Sequence, residues 1–280
     1  MKIGIGLPNP IAGTPASLIG GWTRRAQHRG FESVATVDRL VYPSVDTVVA
    51  LALAAEAATD VTLVTDILLA PLYQPMVLAK QLGNIAQAAG DRLVLGIAVG
   101  ARDDDYAAAG VDFSHRGRLL DEHIPMMRRA WDAGSAVCPQ PVHIPVLFGG
   151  SAQATIRRAT TVGDGWVAGG LRDYPGHGGF ADRVRAAWTD AGRSGEPQLH
   201  ASVSFAFGDD DDLRSGRQHM ADYYGFTPDY AKLTVADLIT TPEDARDTVQ
   251  AYRDLGFDRL LFHPSVANEH QVDRLADTIF

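Results

Sequence analysis

The chain has 280 residues, 46% hydrophobic and 21% charged, with a formal net charge of −9 and one cysteine. That length accommodates two small domains or one α/β barrel, and a balanced composition with no run of eighteen apolar residues gives no sign of a membrane span. The acidic balance, with no Lys/Arg cluster longer than two residues, argues against nucleic acid as a partner, while Cys138 alone excludes an intrachain disulfide and a multi-cysteine metal site, so no metal is expected.

The opening stretch "MKIGIGLP" reads as a strand rather than an apolar leader, and the expected location is the cytoplasm. Apolar strand-like runs then recur at 3–7, 33–37, 61–69, 93–99, 143–148, 165–168, 199–207 and 259–263. Helical patterns fill the gaps at 16–29, 46–58, 76–89, 117–132, 152–162, 180–191, 242–255 and 268–279. Strict alternation of this kind predicts a parallel sheet, and eight strands close a (β/α)8 barrel, the TIM barrel. No G-x-G-x-x-G follows a strand, so the doubly wound open sheet lacks its main signature. No linker divides the chain, and 1–280 is expected to form a single domain.

Local punctuation agrees. Gly30, Gly90, Gly163 and Gly256 each stand between a helical pattern and the next strand, where a left-handed residue ends a helix. Phe31 and Phe257 then pack back on the last turn. Thr241, Pro242 and Asp244 form a helix start with a side-chain cap and a proline in the first turn. The acidic run Asp209 to Asp212 is expected to be a solvated loop and helix start.

Barrels keep their chemistry at the C-terminal ends of the strands. The residues leaving the strands are Pro8 and Asn9, Asp38 and Arg39, 66–71, 100–105, 149–151, 169–173, Gly208 and Asp209, and His263 and Pro264. The stretch "FGGSAQAT" ends a strand at Phe148, and Gly149 and Gly150 let backbone approach a ligand. Ser151 either opens a helix whose free N–H groups face a phosphate or merely caps that helix. Asp103 to Asp105 read as a solvated helix start. His263, at the end of the last strand, is either a proton-transfer group or a hydrogen-bonded structural histidine whose partner the sequence does not identify. His143 and His200 begin their strands, at the face that stabilises rather than reacts. Trp22, Tyr42, Tyr73 and Trp166 pack on a ring or fill core.

The segment "VTLVTDILLAPLYQPMVLAKQLGNIAQAAGDRLVLGIAVG" resembles the third and fourth strands and intervening helix of luciferase-like oxidoreductases, the family of bacterial luciferase, flavin-dependent monooxygenases and enzymes using the deazaflavin coenzyme F420. "GFESVATVDRL", "AAAGVDFSHRGRLLDEHIPMMRRAW", "IPVLFGGSAQATIRRATTVGDGWVAGG" and "TPEDARDTVQAYRDLGFDRLLFHP" extend the resemblance over most of the chain. It implies a flavin-type ring in the barrel mouth, against a non-proline cis peptide joining Asp66 and Ile67; without that resemblance, Asp66 is a trans strand end capping a loop. It also implies that the Gly149–Gly150–Ser151 turn takes the cofactor phosphate, and that Val99, Gly100 and Ala101 lie along the ring and phosphoryl arm, with Arg102 as a charge partner.

Two departures from the family pattern bear on function. Relatives often carry tryptophan and asparagine where this chain has Ala101 and Arg102. Many carry an acid followed by histidine where it has Asp38 and Arg39, and an arginine cannot serve as a base at ordinary pH. Arg39 is then expected either to hold an anionic substrate or a negative ring, or to engage in surface salt links with its neighbours.

The resemblance thus implies hydride transfer between F420 or FMN and a small organic substrate, with Arg39 and His263 as catalytic candidates, or oxygen activation on reduced FMN. Asp38 is expected at the cofactor. The alternatives are a barrel that binds a flavin or deazaflavin without turnover, and a phosphosugar barrel enzyme using the same phosphate turn. A homodimer is a further expectation from the family.

Overall fold

Eight strands alternate with helices along the chain in a computed structural model that describes residues 1–280. The order is β1 (Lys2–Gly6), α1 (Ser17–His28), β2 (Ser33–Thr36), α2 (Thr47–Ala57), β3 (Thr62–Leu68), α3 (Pro75–Ala88) and β4 (Leu93–Ile97). There follow α4 (Asp103–Ala108), α5 (Arg116–Trp131), β5 (Val146–Gly149), α6 (Gln153–Thr161), β6 (Gly165–Val167), α7 (Tyr174–Asp190) and β7 (Gln198–Phe205). The chain ends with α8 (Asp210–Tyr223), α9 (Pro228–Ala236), α10 (Pro242–Asp254), β8 (Arg259–Pro264) and α11 (His270–Ile279). Every strand pairs in parallel with its sequence neighbours, and β8 returns to β1, closing a (β/α)8 barrel. No helix is long and apolar enough to cross a membrane.

Successive side chains of a strand point to opposite faces, and this sorts the barrel residues into two populations. Leu260 and Phe262 of β8, Leu199, Ala201, Val203 and Phe205 of β7, and Leu63 of β3 pack outward in the main core shared with the helices. Their alternates turn inward, where Ala35, Val64 and Leu261 form a small plug with Val94. Above this plug, on the same faces of β3, β7 and β8, stand Asp66, Ser204 and His263. Below it lie Ser33, His200 and Arg259, all buried. An apolar septum therefore separates a polar floor at the N-terminal end from a polar mouth at the other.

Several local signals hold. Gly30, Gly90 and Gly256 adopt φ of +89°, +61° and +72° and end their helices. Thr241 Oγ1 accepts from Asp244 N at 3.2 Å, and Asp209 caps α8 by accepting from the amides of Asp211 and Asp212, each at 3.0 Å. Gly163 is different: it is not left-handed, and a Cβ there would stand 2.8 Å from the Phe148 ring, so packing rather than dihedral freedom requires glycine.

Boundaries shift where proline and glycine mislead. β5 begins at Val146 rather than 143, because Pro145 has no N–H to give to the ladder and contributes only its carbonyl, to Leu95 N at 2.9 Å. His143 is accordingly an exposed loop residue, not the start of a strand. α7 starts at Tyr174, six residues before the expected 180, since Asp173 caps it through Gly176 N at 3.0 Å and Pro175 is tolerated in a first turn. The largest difference lies between β7 and α10, where the acidic run opens a pair of helices, α8 and α9, that the expected set of eight did not contain.

Candidate active site

Inward alternation brings the polar ends of β3 and β8 together across the barrel. His263 Nε2 and Asp66 Oδ2 lie 2.6 Å apart although 197 positions separate them. Both side chains are almost fully buried, at 11% and 4% exposed. A carboxylate has no proton to donate, so it fixes the imidazole with Nε2–H directed at Asp66. Nδ1 is buried and without a partner beside Gly6, whose missing side chain makes room for the ring. This supplies the partner that His263 lacked in the sequence. Asp66 is joined to Ile67 by a cis peptide, as the family resemblance implied, so the residue does not end a trans strand.

Asp38, from the exit of β2, is 6% exposed. Its Oδ2 accepts from Leu69 N at 2.9 Å and its Oδ1 from the Tyr73 hydroxyl at 2.8 Å. Burial pushes its pKa up to about 7 against the opposing effect of those two bonds. Tyr73 is thereby committed to Asp38. Asn9, fully buried, braces the same rim by donating to Val37 O at 2.7 Å and accepting from Val37 N at 3.1 Å.

These groups open into a cavity of about 560 Å³ at the C-terminal ends of the strands. Of the expected residues, Asp38, Asp66, Ile67 and His263 line it, as do Gly100, Ala101, Gly149 and Gly150. Gly149 is needed there: a Cβ would run into Ile67 Cδ1 and stand 3.5 Å from Ala98 Cβ. Gly150 has φ +107°, and its carbonyl accepts from the Trp166 indole N–H at 2.9 Å. That bond turns the carbonyl toward β6. Trp166 is otherwise core, stacked 4.5 Å from Phe180, and Trp22 is fully buried as well.

Three expected site residues stand elsewhere. Ser151 neither lines the cavity nor caps a helix: α6 starts two residues later, with Ala152 at its N-cap and no side-chain cap. Of the first-turn amides, Thr155 N donates to Ala152 O at 2.9 Å, while those of Gln153 and Ala154 keep their hydrogen-bonding capacity. Val99 does not line the cavity, because its side chain packs on the main core while its carbonyl accepts from the Tyr106 hydroxyl. Arg39 is also absent from the lining. Its guanidinium, 7% exposed, donates to Asp104 at 3.1 Å and to the Tyr223 carbonyl at 3.2 Å, and lies 5.0 Å from the Tyr42 ring centroid. Arg39 thus forms ion pairs, but from a buried guanidinium to Asp104 and Asp105 of α4 rather than as surface links beside Asp38.

The aspartates of α4 divide. Asp103 and Asp104 are exposed as expected, but Asp105 is fully buried and accepts from the amides of Leu40 at 3.2 Å and Val41 at 2.6 Å. Arg102 does line the cavity. It donates to the Tyr223 carbonyl and lies 3.8 Å from the Phe226 ring centroid and 4.8 Å from that of Tyr223. Burial lowers its pKa without removing its charge.

The remaining wall comes from α8, α9 and the turn between them, which contribute His219, Met220, Tyr223, Tyr224, Phe226 and Tyr230. Sequence reasoning missed all six. The available signals were the aromatic run "YYGF" and the Thr227-Pro228-Asp229 helix start that follows it.

A family model for luciferase-like monooxygenases matches residues 1–237. The chain belongs to the luciferase-like monooxygenase family. Among curated proteins, uncharacterized proteins from Mycobacterium bovis and Mycobacterium tuberculosis are 31% identical over 144 residues. Each match covers 46% of this chain and 49% of the relative, so it spans about half the length of those proteins. The fold is shared with solved structures of low identity. Monooxygenase RslO1 from Streptomyces bottropensis is 19% identical with a TM-score of 0.76, covering 99% of this chain and 96% of that one. An F420-dependent secondary alcohol dehydrogenase in complex with an F420-acetone adduct is 14% identical with a TM-score of 0.81, covering 99% and 98%. The coenzyme F420 dependent tetrahydromethanopterin reductase from Methanopyrus kandleri has a TM-score of 0.77 at 14% identity, covering 99% and 98%. β8 and His263 lie beyond the matched stretch.

Proposed function

We propose that this luciferase-like protein is an oxidoreductase passing hydride between a flavin-type ring, that of F420 or FMN, and a small organic substrate. Oxygen activation is the variant of this reading that applies to reduced FMN. The observation that carries it is the buried Asp66–His263 pair in a glycine-edged cavity, whose lining residue Gly150 leads in the chain to the uncapped start of α6.

The residues present fit such a cofactor. The cavity is within the usual range for a drug-sized ligand. Gly100, Ala101 and Gly149 leave flat backbone where a ring needs close approach, and Ile67 supplies an apolar surface. Gly150, with its carbonyl held by Trp166, and the Gln153 and Ala154 amides that follow it suit a phosphate. When bound, the ring supplies the hydride or electron chemistry. The chain's own part is to orient the ring, exclude water and place a proton. A substrate that gains or loses a proton along with a hydride finds its partner at the hydrogen-bonded His263 Nε2–Asp66 Oδ2 pair.

One observation favours a second reading, a barrel that binds the cofactor without turnover. Arg39 stands where many relatives carry histidine, and it is tied to Asp104 and Tyr223 rather than offered to the ring. The proposal also includes a cytoplasmic homodimer acting on a small molecule, with no nucleic acid or membrane partner.

Absorption titrations of the purified protein with FMN and with F420 test the reading, followed by turnover with a panel of hydride acceptors and donors. Saturable spectral change with one cofactor, turnover, and a loss of about 10²-fold or more in His263→Ala with binding retained are expected. No binding of either cofactor overturns the proposal. Tight binding with no substrate-dependent redox change selects the second reading.

A further inference from the structure

The wall contributed by α8 and α9 differs in chemistry from the rest of the cavity. Tyr223 and Tyr224 have ring centroids 5.0 Å apart and nearly perpendicular planes, and Tyr224 repeats that geometry with Tyr230 at 5.2 Å. Such edge-to-face stacking holds each ring in a fixed attitude. Phe226 extends the row to the rim, where it is 44% exposed. The barrel strands contribute aliphatic lining from Ile67 and Leu69.

The charges on this wall are spent or absent. Burial lowers the pKa of His219 to about 4, so the imidazole is neutral at physiological pH. It also raises those of the Tyr223, Tyr224 and Tyr230 phenols, which keep their protons. Arg102 is the one cation, and it already covers the Phe226 and Tyr223 faces while donating to the Tyr223 carbonyl. An ammonium arriving at those rings would meet Arg102 instead of a free π face. An anion would share the chamber with the Asp66 carboxylate, with no second basic side chain to offset it.

We propose that the chamber beneath α8 and α9 is a subsite for a neutral, planar aromatic substrate bearing hydroxyl or carbonyl groups. Ring faces and edges of the tyrosines take the aromatic body. The phenol hydroxyls and the His219 imidazole take its polar substituents, since each can both donate and accept. The assignment rests on the oxidoreductase reading for what happens to the substrate, but not for its recognition.

Calorimetric titration of the cofactor-free protein separates the two. The probes are 2-naphthol, 2-naphthoate, 2-naphthylmethylammonium and 1-decanol, which hold the ring constant while changing charge and then remove the ring. The neutral naphthol is expected to bind at least about tenfold more tightly than each of the others. Tyr230→Phe should keep that preference over decanol and Tyr230→Leu should lose it, with circular dichroism confirming that both variants fold. Equal or tighter binding of decanol or of either charged naphthalene overturns the inference, as does a preference untouched by Tyr230→Leu. If naphthol is preferred and neither FMN nor F420 binds, the redox reading fails while the subsite stands. If a cofactor binds and naphthol is not preferred, the reverse holds.

Discussion

Asp38 carries the clearest consequence at the scale of a single residue. An acid in the folded chain with a pKa of about 7, against an ordinary 3.8, holds its proton through a range in which the unfolded chain has released it. Its contribution to stability is therefore complete below about pH 4 and lost as pH rises through 7. Asp38→Asn removes the titration. The melting temperature of the variant relative to the parent is expected to climb between pH 4 and pH 7 and to level off above, measured by calorimetry in matched buffers. A difference that falls over this range would mean that the amide of Leu69 and the hydroxyl of Tyr73 dominate over burial and keep the carboxylate ionised. Asp38 was legible as a site residue because it leaves a strand at the mouth, and the same reasoning located Asp66, Ile67, Gly100, Gly149, Gly150 and His263. Their pairing was not legible. The hydrogen bond between Asp66 and His263 depends on barrel closure, which no local pattern encodes. Arg39 went astray for a related reason, since its partners come from α4 and the end of α8. Ser151 was misplaced by two residues, within the usual uncertainty of a helix start.

Among the elements, α8 and α9 carry most of what the sequence concealed. Residues 209–223 read "DDDDLRSGRQHMADY", in which apolar positions are too few to mark a buried face. Only Gly216, Met220 and Tyr223 are buried in α8. The pair is held by other means: the Asp209 cap, the Arg274–Asp212 bridge at 2.6 Å, and two arginines donating to the last carbonyl of α8, where the helix dipole is negative. After α9 the chain returns to the barrel through Ile239, which exchanges backbone bonds with Ser204 and Ala206. An element so dependent on its ends should respond strongly to the loss of one. Asp209→Ala is expected to cost about 1 kcal/mol and to speed limited proteolysis within 210–236 before the barrel itself is cut. Uniform cleavage across the chain would show that the pair is no looser than the rest. By contrast, the barrel helices and strands were readable because burial on one face of a helix, or on both faces of a strand, leaves a plain apolar pattern.

At the scale of the whole molecule, closure is what creates the site. β8 pairs with β1 over four residues and with β7 over six, and it also delivers His263. Ending the chain at 237, where the family match stops, would expose two strand edges and remove the imidazole together. The fragment 1–237 is expected to be insoluble or to unfold without a cooperative transition when followed by far-ultraviolet circular dichroism. A soluble fragment with a sharp melt would show that seven strands suffice for the fold. Alternation and count made the architecture legible in the sequence; the register that seals it was not, because it depends on residues at the two ends of the chain.

The division of the strand residues into outward and inward sets has a practical corollary for anyone redesigning this protein. Ser202 and Ser204 can be exchanged to reshape what the vessel accepts while Leu199, Ala201, Val203 and Phe205, on the reverse of the same ribbon, keep the scaffold upright. New specificity and mechanical soundness are thus separately adjustable, one odd-even step apart.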